Sequence, residues 1–351
     1  MNLFVHNWSD GKTLPKSYIF PPEKRPGEHG LTLKTNQSVP IIDLSKAYAD
    51  DAGRAEVVSQ IMKASKEIGA FQVKNHGVPS KLLNEARTMI KEFFELPAED
   101  KEKYISYSHK DIFALYTSNY NYFAEEIHFW RDVITQRCLP VEECAPYWPD
   151  KPAKYREVIG EFTTQANEVG KVLLELIAEG LGLERDYFEK SGLGEELDMN
   201  VNHYPPCPDP TLTLAVARHR DRSLITLVMQ GDVAGLQFLK DGEWIPVDPM
   251  PDVFAVNLGN VMQVASNGLL KSGEHQAVTN QKVARESAAV FLCPGDDRVI
   301  EPAKGLISEE KPALYRPLQY HEFLAAHNRG RTHKLTADET LKSFLINQPT
   351  T

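Results

Sequence analysis

The sequence has little of what marks a membrane, secreted or repeat protein. It contains no run of 18 apolar residues, and residues 1–7 lack the basic stretch and apolar core of a signal peptide. No internal repeat or low-complexity tract is evident. We therefore expect a cytoplasmic protein without a membrane partner.

Cysteine is scarce as well: four occur in 351 residues, at Cys138, Cys144, Cys207 and Cys293. They have neither the paired spacing of a zinc site nor the density of a disulfide scaffold. Reduced thiols are the expectation.

Basic residues are too few for a general affinity for nucleic acid. The chain has 39 Lys and Arg against 49 Asp and Glu, a net charge of −10, which disfavours binding to polyanions. With 42% apolar and 25% charged residues the composition is that of an ordinary globular protein. We expect a monomer that binds a small molecule and no nucleic acid.

The first half of the chain predicts an arm followed by a helical region. Residues 1–38 carry four prolines and suit an extended arm, whereas residues 39–182 alternate short strands with helices. Two helices are expected before residue 97, and a long one from about Lys154 to Leu181. Residues 105–150, aromatic and weakly periodic, are expected to form a loop-rich cover.

The second half reads as strands. From Met199 onward, β-branched and apolar runs are separated by turn residues, and Asp241-Gly242 between two such runs predicts a hairpin. This pattern over residues 199–320 suggests a double-sheet jelly roll, and residues 321–351 return to a helix and a polar tail. The expected fold is mixed α/β: a jelly-roll core, also called a double-stranded β-helix, with a helical N-terminal region and a C-terminal helix.

His219, Asp221 and His275 are candidate metal ligands. Alternation along an extended chain sends the side chains at positions 219 and 221 to the same side, and His275 opens another strand-like run. Two histidines and one carboxylate form the facial set that leaves positions open on iron(II). Taken alone, the motif also fits a chance surface pair or a zinc hydrolase site.

Arg285 and Ser287 follow His275 at a spacing that favours a functional site over a chance pair of metal-type residues. The two side chains share one face of a strand, so that a guanidinium fork and a hydroxyl converge near the metal. Such a pair suits the far carboxylate of a dicarboxylate whose keto-acid end chelates iron. Tyr204, followed by Pro205 and Pro206, offers a hydroxyl to the same carboxylate, although packing in the core is an alternative.

The combined order Asn202-x-Tyr204-Pro-Pro, His219-x-Asp221, His275 and Arg285-x-Ser287 resembles the plant 2-oxoglutarate and iron(II)-dependent dioxygenase family. Residues 39–44, 71–79 and 93–97 resemble its helical N-terminal part. Residues 4–9 and 301–304 are similar to the branch with hyoscyamine 6-hydroxylase-like and mugineic-acid-forming enzymes.

The resemblance implies an oxidoreductase in plant specialised metabolism or detoxification. His219, Asp221 and His275 would bind iron(II), and Arg285, Ser287, Tyr204 and Asn202 would hold 2-oxoglutarate as co-substrate, with ascorbate as activator. O2 and a small organic molecule, such as an alkaloid, phytosiderophore, hormone or triketone herbicide, would be consumed with release of succinate and CO2. Hydroxylation is the expected outcome, while desaturation or ring closure stays open.

Substrate contacts are expected from the strands and from the aromatic cover. Phe291 shares the strand face of Arg285 and Ser287, and Phe129 and Phe323 are further candidates. Arg220 and Arg222 depart from the family, which usually has a small residue and often a proline at these positions. Their role stays open between cations at the cavity mouth and solvent-facing side chains.

Rival interpretations are an inactive jelly-roll binding protein, a zinc hydrolase, and a relative that uses ascorbate in place of 2-oxoglutarate. The intact His219, Asp221, His275 and Arg285 argue against the first. Zinc chemistry gives no reason for Arg285-x-Ser287. The third stays open, because some relatives that use ascorbate keep the Arg-x-Ser pair.

Overall fold

A computed structural model describes residues 4–8, 11, 13–33, 35–108, 110–332 and 341–346. The helices in these residues are α1 (Gly27–Leu31), α2 (Asp51–Glu67), α3 (Ser80–Glu95), α4 (Ala98–Glu102), α5 (Val141–Cys144), α6 (Tyr155–Gly180), α7 (Tyr187–Ser191), α8 (Asn260–Ala265) and α9 (Tyr320–Thr332). The first strands are β1 (Ile41–Asp43), β2 (Ala70–Lys74), β3 (Phe113–Thr117), β4 (Asp132–Arg137), β5 (Glu196–Tyr204), β6 (Val216–His219) and β7 (Ile225–Gln230). They are followed by β8 (Leu236–Lys240), β9 (Glu243–Pro246), β10 (Phe254–Leu258), β11 (His275–Ala277), β12 (Arg285–Cys293), β13 (Val299–Ile300) and β14 (Leu318–Gln319).

Two facing sheets form the centre of the molecule. The major sheet has the strand order β1-β2-β10-β7-β12-β5-β4-β3, and the minor sheet has the order β6-β11-β8-β9. Of strands β5 to β12, four lie in each sheet, and the chain crosses from one sheet to the other at every step except the β8–β9 hairpin, which is the arrangement of a jelly roll. The expected fold class is confirmed.

Alternation along β12 separates the interior of the jelly roll from the helical layer. Val290 and Leu292 are fully buried in the large apolar core that the helices share with the outer face of the major sheet. Helix α6 lies so close to β12 that a Cβ on Gly170 would come within 2.7 Å of a Leu292 methyl carbon. The other face of β12, which carries Arg285, Ser287, Ala289 and Phe291, is thereby left to line the space between the sheets.

Helical periodicity and turn chemistry predicted several elements well. α2 and α3 are the two helices predicted in the helical region before residue 97, and α6 differs from its predicted limits by one residue at each end. The hairpin β8–β9 turns at Asp241 and Gly242, whose φ values of 51° and 86° are those of a primed turn.

The expectation of a loop-rich segment at residues 105–150 was wrong in part. β3 and β4 lie within it and extend the edge of the major sheet, with β4 paired to β5. All five residues of β3 are buried, so the strand shows no alternation that a local pattern would reveal.

The N-terminal arm is not wholly extended, because α1 and three short 3₁₀ turns interrupt it. The buried Asp132 carboxylate accepts hydrogen bonds from the backbone N–H groups of Val5 and His6 at 3.0 and 2.9 Å, and so fixes the start of the arm. Parts of the predicted arm (residues 1–3, 9, 10, 12 and 34) and of the predicted C-terminal tail (333–340 and 347–351) lie outside the described residues. Among the described helices, none is long and apolar enough to cross a membrane.

Candidate active site between the two sheets

The three predicted metal ligands lie together at one end of the minor sheet. His219 ends β6 and His275 begins β11, and the two residues are direct partners in the antiparallel ladder. Asp221 follows two residues after His219, with its Oδ1 3.7 Å from the Nε2 atoms of both His219 and His275. Within the described residues this is the one cluster of three or more His, Cys, Asp or Glu side chains whose ligand atoms all lie within 4.8 Å of one another.

Backbone carbonyls orient the two imidazoles. Nδ1 of His219 lies 2.9 Å from the oxygen of Ala217, and Nδ1 of His275 lies 3.0 Å from the oxygen of Gly273. A carbonyl can only accept, so each Nδ1 carries a proton, and once the second ring proton is lost each Nε2 presents a lone pair. This is the tautomer that a metal ion requires.

Asp221 is held in the ionised form that a metal ligand needs. Burial by itself raises the pKa of this carboxyl, but the positive charges of His275 and His219 in their protonated form, together with hydrogen bonds from Thr226 and Asn257, outweigh burial and hold the pKa below its usual value. Asn257 donates to Oδ2 at 3.1 Å, which leaves Oδ1 towards the histidines. Two imidazole nitrogens and one carboxylate oxygen form a donor set that fits iron(II).

The cluster opens into a cavity between the sheets, with about 890 Å³ of empty space when its open mouth is included. Arg285, Ser287, Tyr204 and Asn202 line the same cavity. β12 pairs with β5 so that Arg285 lies opposite Tyr204 and Ser287 opposite Asn202. The structure thus brings the metal-type cluster and the four predicted co-substrate residues to a common space.

Arg285 is prepared for an anion. Its side chain is 2% exposed, Nε donates to the oxygen of Val233 at 3.1 Å, and Nη2 donates to Oε1 of Gln230 at 3.4 Å. Nη1 is buried and has no hydrogen-bond acceptor among the described residues, and the guanidinium lies 5.0 Å from the centre of the Tyr204 ring. A buried donor without an acceptor is unfavourable, so the geometry fits a bound carboxylate such as the distal one of 2-oxoglutarate.

The three aromatic candidates for substrate contact differ in position. Phe291 lines the cavity beside Ala289. Phe129 does not: it stacks on Phe20 at 6.1 Å in a small apolar cluster under the N-terminal arm. Phe323 is 1% exposed and packs against Tyr320 and Phe344, so the expectations for Phe129 and Phe323 are corrected.

Several residues that line the cavity were not predicted from the sequence. Arg131, Asn200, Asn257 and the α9 residue His327 all line the cavity. Arg131 precedes β4 in a segment predicted to be a loop, and no motif marked it. On α9, Phe323 was predicted to contact the substrate, but the cavity is lined by His327, which lies four residues later and about one helical turn away.

Arg220 and Arg222, whose role the sequence left open, also line the cavity. Arg220 donates to Oε2 of Glu274 at 3.3 Å, and Arg218 bonds the other oxygen of the same carboxylate. Arg222 donates to Oδ2 of Asp198 at 2.9 Å. Both guanidinium groups are therefore held by acidic partners at the wall of the cavity.

Comparison with known proteins agrees with this geometry. Residues 195–294 match the model of the 2OG-Fe(II) oxygenase superfamily, and residues 39–157 match that of the non-haem dioxygenase in morphine synthesis N-terminal region. The chain is 42% identical over 330 residues to 2'-deoxymugineic-acid 2'-dioxygenase of Hordeum vulgare, covering 93% of this chain and 94% of the relative. It is 38% identical over 358 residues to hyoscyamine 6-dioxygenase of Hyoscyamus niger, covering 99% and 100%.

The solved structures point the same way. The crystal structure of JOX2 in complex with 2OG, Fe and JA superimposes with a TM-score of 0.86 at 30% identity, covering 99% of this chain and 98% of that one. The resemblance read from the motifs is confirmed by these relatives. The chain belongs to the 2OG-Fe(II) oxygenase superfamily and is a dioxygenase that uses iron(II), with 2-oxoglutarate as co-substrate.

Proposed function

We propose that this protein hydroxylates a small organic molecule, a specialised metabolite, hormone or xenobiotic, in the cavity between its two sheets. The observation that carries the proposal is a buried nitrogen, Nη1 of Arg285, which has no hydrogen-bond partner in the described part of the chain and lies in the same cavity as the His219–Asp221–His275 cluster. One site thereby offers a metal-type ligand set and an anchor for a dicarboxylate.

In this proposal His219, Asp221 and His275 are the metal ligands. When bound, iron(II) and 2-oxoglutarate supply the oxidising power: O2 is consumed, 2-oxoglutarate is decarboxylated to succinate and CO2, and one oxygen atom enters the organic substrate. The carbonyls of Ala217 and Gly273 keep the imidazoles in the required tautomer, and Asn257 keeps Asp221 turned towards them. These contacts fix the ligands before the metal binds.

Arg285 would bind the distal carboxylate of 2-oxoglutarate through Nη1, and Ser287, Tyr204 and Asn202 would donate further hydrogen bonds to the same molecule. A charge-assisted bond in a buried site gives both affinity and orientation. Phe291 would contact the organic substrate and, with Ala289, exclude water from that wall of the cavity.

The class of the organic substrate is also part of the proposal. Relatives are named for deoxymugineic acid, hyoscyamine and flavanone oxidation, and side chains on loops commonly decide among such substrates. We further propose a monomer in the cytoplasm that binds no nucleic acid, with residues 1–38 as an arm, 39–182 as the helical region, 199–320 as the oxygenase domain and 321–351 as C-terminal helix and tail.

The test is a screen of metabolites and xenobiotics that reads out succinate formation with iron(II), 2-oxoglutarate and O2. We expect at least one compound to stimulate succinate release and to gain one oxygen atom by mass. Loss of two hydrogens instead would redirect the proposal to desaturation or ring closure. Formation of a hydrolysed product without O2 would contradict the proposal.

A further inference from the structure

A second buried arginine lies beside the group that would hold 2-oxoglutarate. Arg131 precedes β4, whose first residue Asp132 is paired with His203 on β5. The indole nitrogen of Trp130 donates to the oxygen of Pro205 at 3.0 Å, so the two chains stay side by side beyond that pair. Arg131 therefore lies next to Tyr204, on the side opposite Arg285.

The guanidinium of Arg131 is directed into the cavity and is held by neutral groups. Its Nε donates to the oxygen of Ser118 at 2.8 Å, and its Nη1 donates to Oδ1 of Asn202 at 2.8 Å. The residue is 8% exposed and lines the cavity. Because two neutral acceptors hold the group at fixed positions, its charge has a defined place in the site.

Two positive charges, those of Arg131 and Arg285, lie at this end of the cavity. In the part of the chain that the structure describes, neither Arg131 nor Arg285 forms an ion pair with a carboxylate. The neighbouring Asp132 is directed elsewhere, towards the backbone of Val5 and His6. Buried cations without counter-ions are unfavourable, so a bound anion would stabilise this arrangement.

The bond to Asn202 also decides what that side chain can offer. Arg131 occupies the amide oxygen of Asn202, which leaves the NH₂ group as the part that can serve a ligand in the cavity. A dicarboxylate accepts hydrogen bonds and donates none. Asn202 is thereby fixed in the orientation that suits such a ligand.

We infer that Arg131 is a positioning residue for 2-oxoglutarate: it fixes Asn202 as a donor and adds a second positive charge at the Arg285 end of the cavity. The inference rests on the proposed function, because it presupposes that 2-oxoglutarate binds with its distal carboxylate at this end. Arg131 lies outside the sequence motifs that indicated the candidate site.

The test compares Arg131→Met and Arg131→Lys with Arg137→Met, a matched change of an exposed arginine at the end of β4, the strand that Arg131 precedes. The dissociation constant for 2-oxoglutarate is measured anaerobically on the iron(II)-loaded protein from the charge-transfer band. A second readout is the 2-oxoglutarate-dependent rise in melting temperature with manganese(II). We expect Arg131→Met to raise the dissociation constant at least about 10-fold, Arg131→Lys to recover part of the loss through its charge, and Arg137→Met to stay within twofold of wild type.

A double-mutant cycle separates positioning from charge alone. If Arg131 acts partly through Asn202, the loss caused by Arg131→Met should be smaller in an Asn202→Ala background than in the wild type. Iron(II) affinity should be unchanged in each variant, because the metal-type cluster is on the minor sheet. If Arg131→Met fails to fold, Arg131→Lys carries the same test, since it loses the two fixed bonds of the guanidinium.

The two possible failures are distinct. A dissociation constant for 2-oxoglutarate that stays within twofold of wild type in the Arg131 variants, while the wild type gives a saturable band, overturns this inference alone. That outcome includes the case in which Arg131 binds the organic substrate. A wild-type protein without any saturable band contradicts the proposed function itself.

Discussion

His219 and His275 face each other across the β6–β11 ladder, with their ring centroids 4.1 Å apart. Two of the three proposed ligands are therefore placed by strand pairing rather than by a loop, and both rings are further fixed by backbone carbonyls two residues away in sequence. Sites built on paired strands hold their geometry more closely than sites on loops. We expect the cluster to be formed before the metal binds.

Replacing Arg285 tests the proposed role of this residue as the anchor for 2-oxoglutarate. Arg285→Ala should raise the apparent KM for 2-oxoglutarate roughly 30-fold or more, since loss of one partner of a buried charged pair amounts to about 2–5 kcal/mol. Arg298→Ala, which removes an exposed arginine bonded to Glu195, is the control and should leave the KM unchanged. An unchanged KM in Arg285→Ala would mean that the distal carboxylate is bound elsewhere.

Replacing Phe291 tests its proposed contact with the organic substrate. Phe291→Ala should lower kcat/KM for the organic substrate roughly 10-fold or more, because burial of an aromatic side chain against a ligand contributes about 1.5–3 kcal/mol. The dissociation constant for 2-oxoglutarate should stay the same. Val299→Ala, at a half-exposed apolar residue away from the cavity, serves as the control. Equal losses in 2-oxoglutarate binding and substrate turnover would show a general disturbance of β12 instead.

Gly259 links stability to the metal-type cluster. A Cβ at this position would come within 1.9 Å of the backbone oxygen of Ser223, and the next residue, Asn260, donates its N–H to the oxygen of Asp221 at 2.8 Å. Gly259→Ala should lower the free energy of unfolding by about 1–3 kcal/mol or more and weaken iron binding, because the Asp221 segment must move. Denaturant unfolding with and without iron(II) measures both effects.

The control for Gly259→Ala is Gly305→Ala. A Cβ there meets only the end of the Leu183 side chain, at 3.0 Å, which a rotamer change can relieve. Equal losses of stability in the two variants would contradict the role given to the contact between Gly259 and Ser223.

Periodicity in the sequence predicted those elements whose pattern is local. α2, α3 and α6 repeat apolar residues at helical spacing, and the β8–β9 hairpin is marked by Asp241-Gly242. β3 and β4 were missed because one of the two partners of β4, β5, lies about 60 residues further along the chain and every residue of β3 is buried. Non-local pairing leaves no trace in a short window of sequence.

The residues of the candidate site show the same difference between local patterns, which the sequence reveals, and non-local packing, which it does not. Spacing along single strands indicated that Arg285, Ser287 and Phe291 share a face, and the structure gives all three to one cavity. Phe129 and Phe323 were chosen for residue type alone, and packing against Phe20 and Phe344 holds them away from it. The position of Arg131 at the cavity follows from the pairing of β4 with β5, and no sequence motif indicates that pairing.

The most direct measurement is the anaerobic visible spectrum of the protein with iron(II) and 2-oxoglutarate. The wild type should give a weak metal-to-ligand charge-transfer band, and His219→Ala and Asp221→Ala should abolish it because each removes one of the three proposed ligands. Removal of iron by a chelator should erase the band, and iron(II) should restore it. A full-strength band in either variant would contradict the assignment of His219, Asp221 and His275 as the metal site.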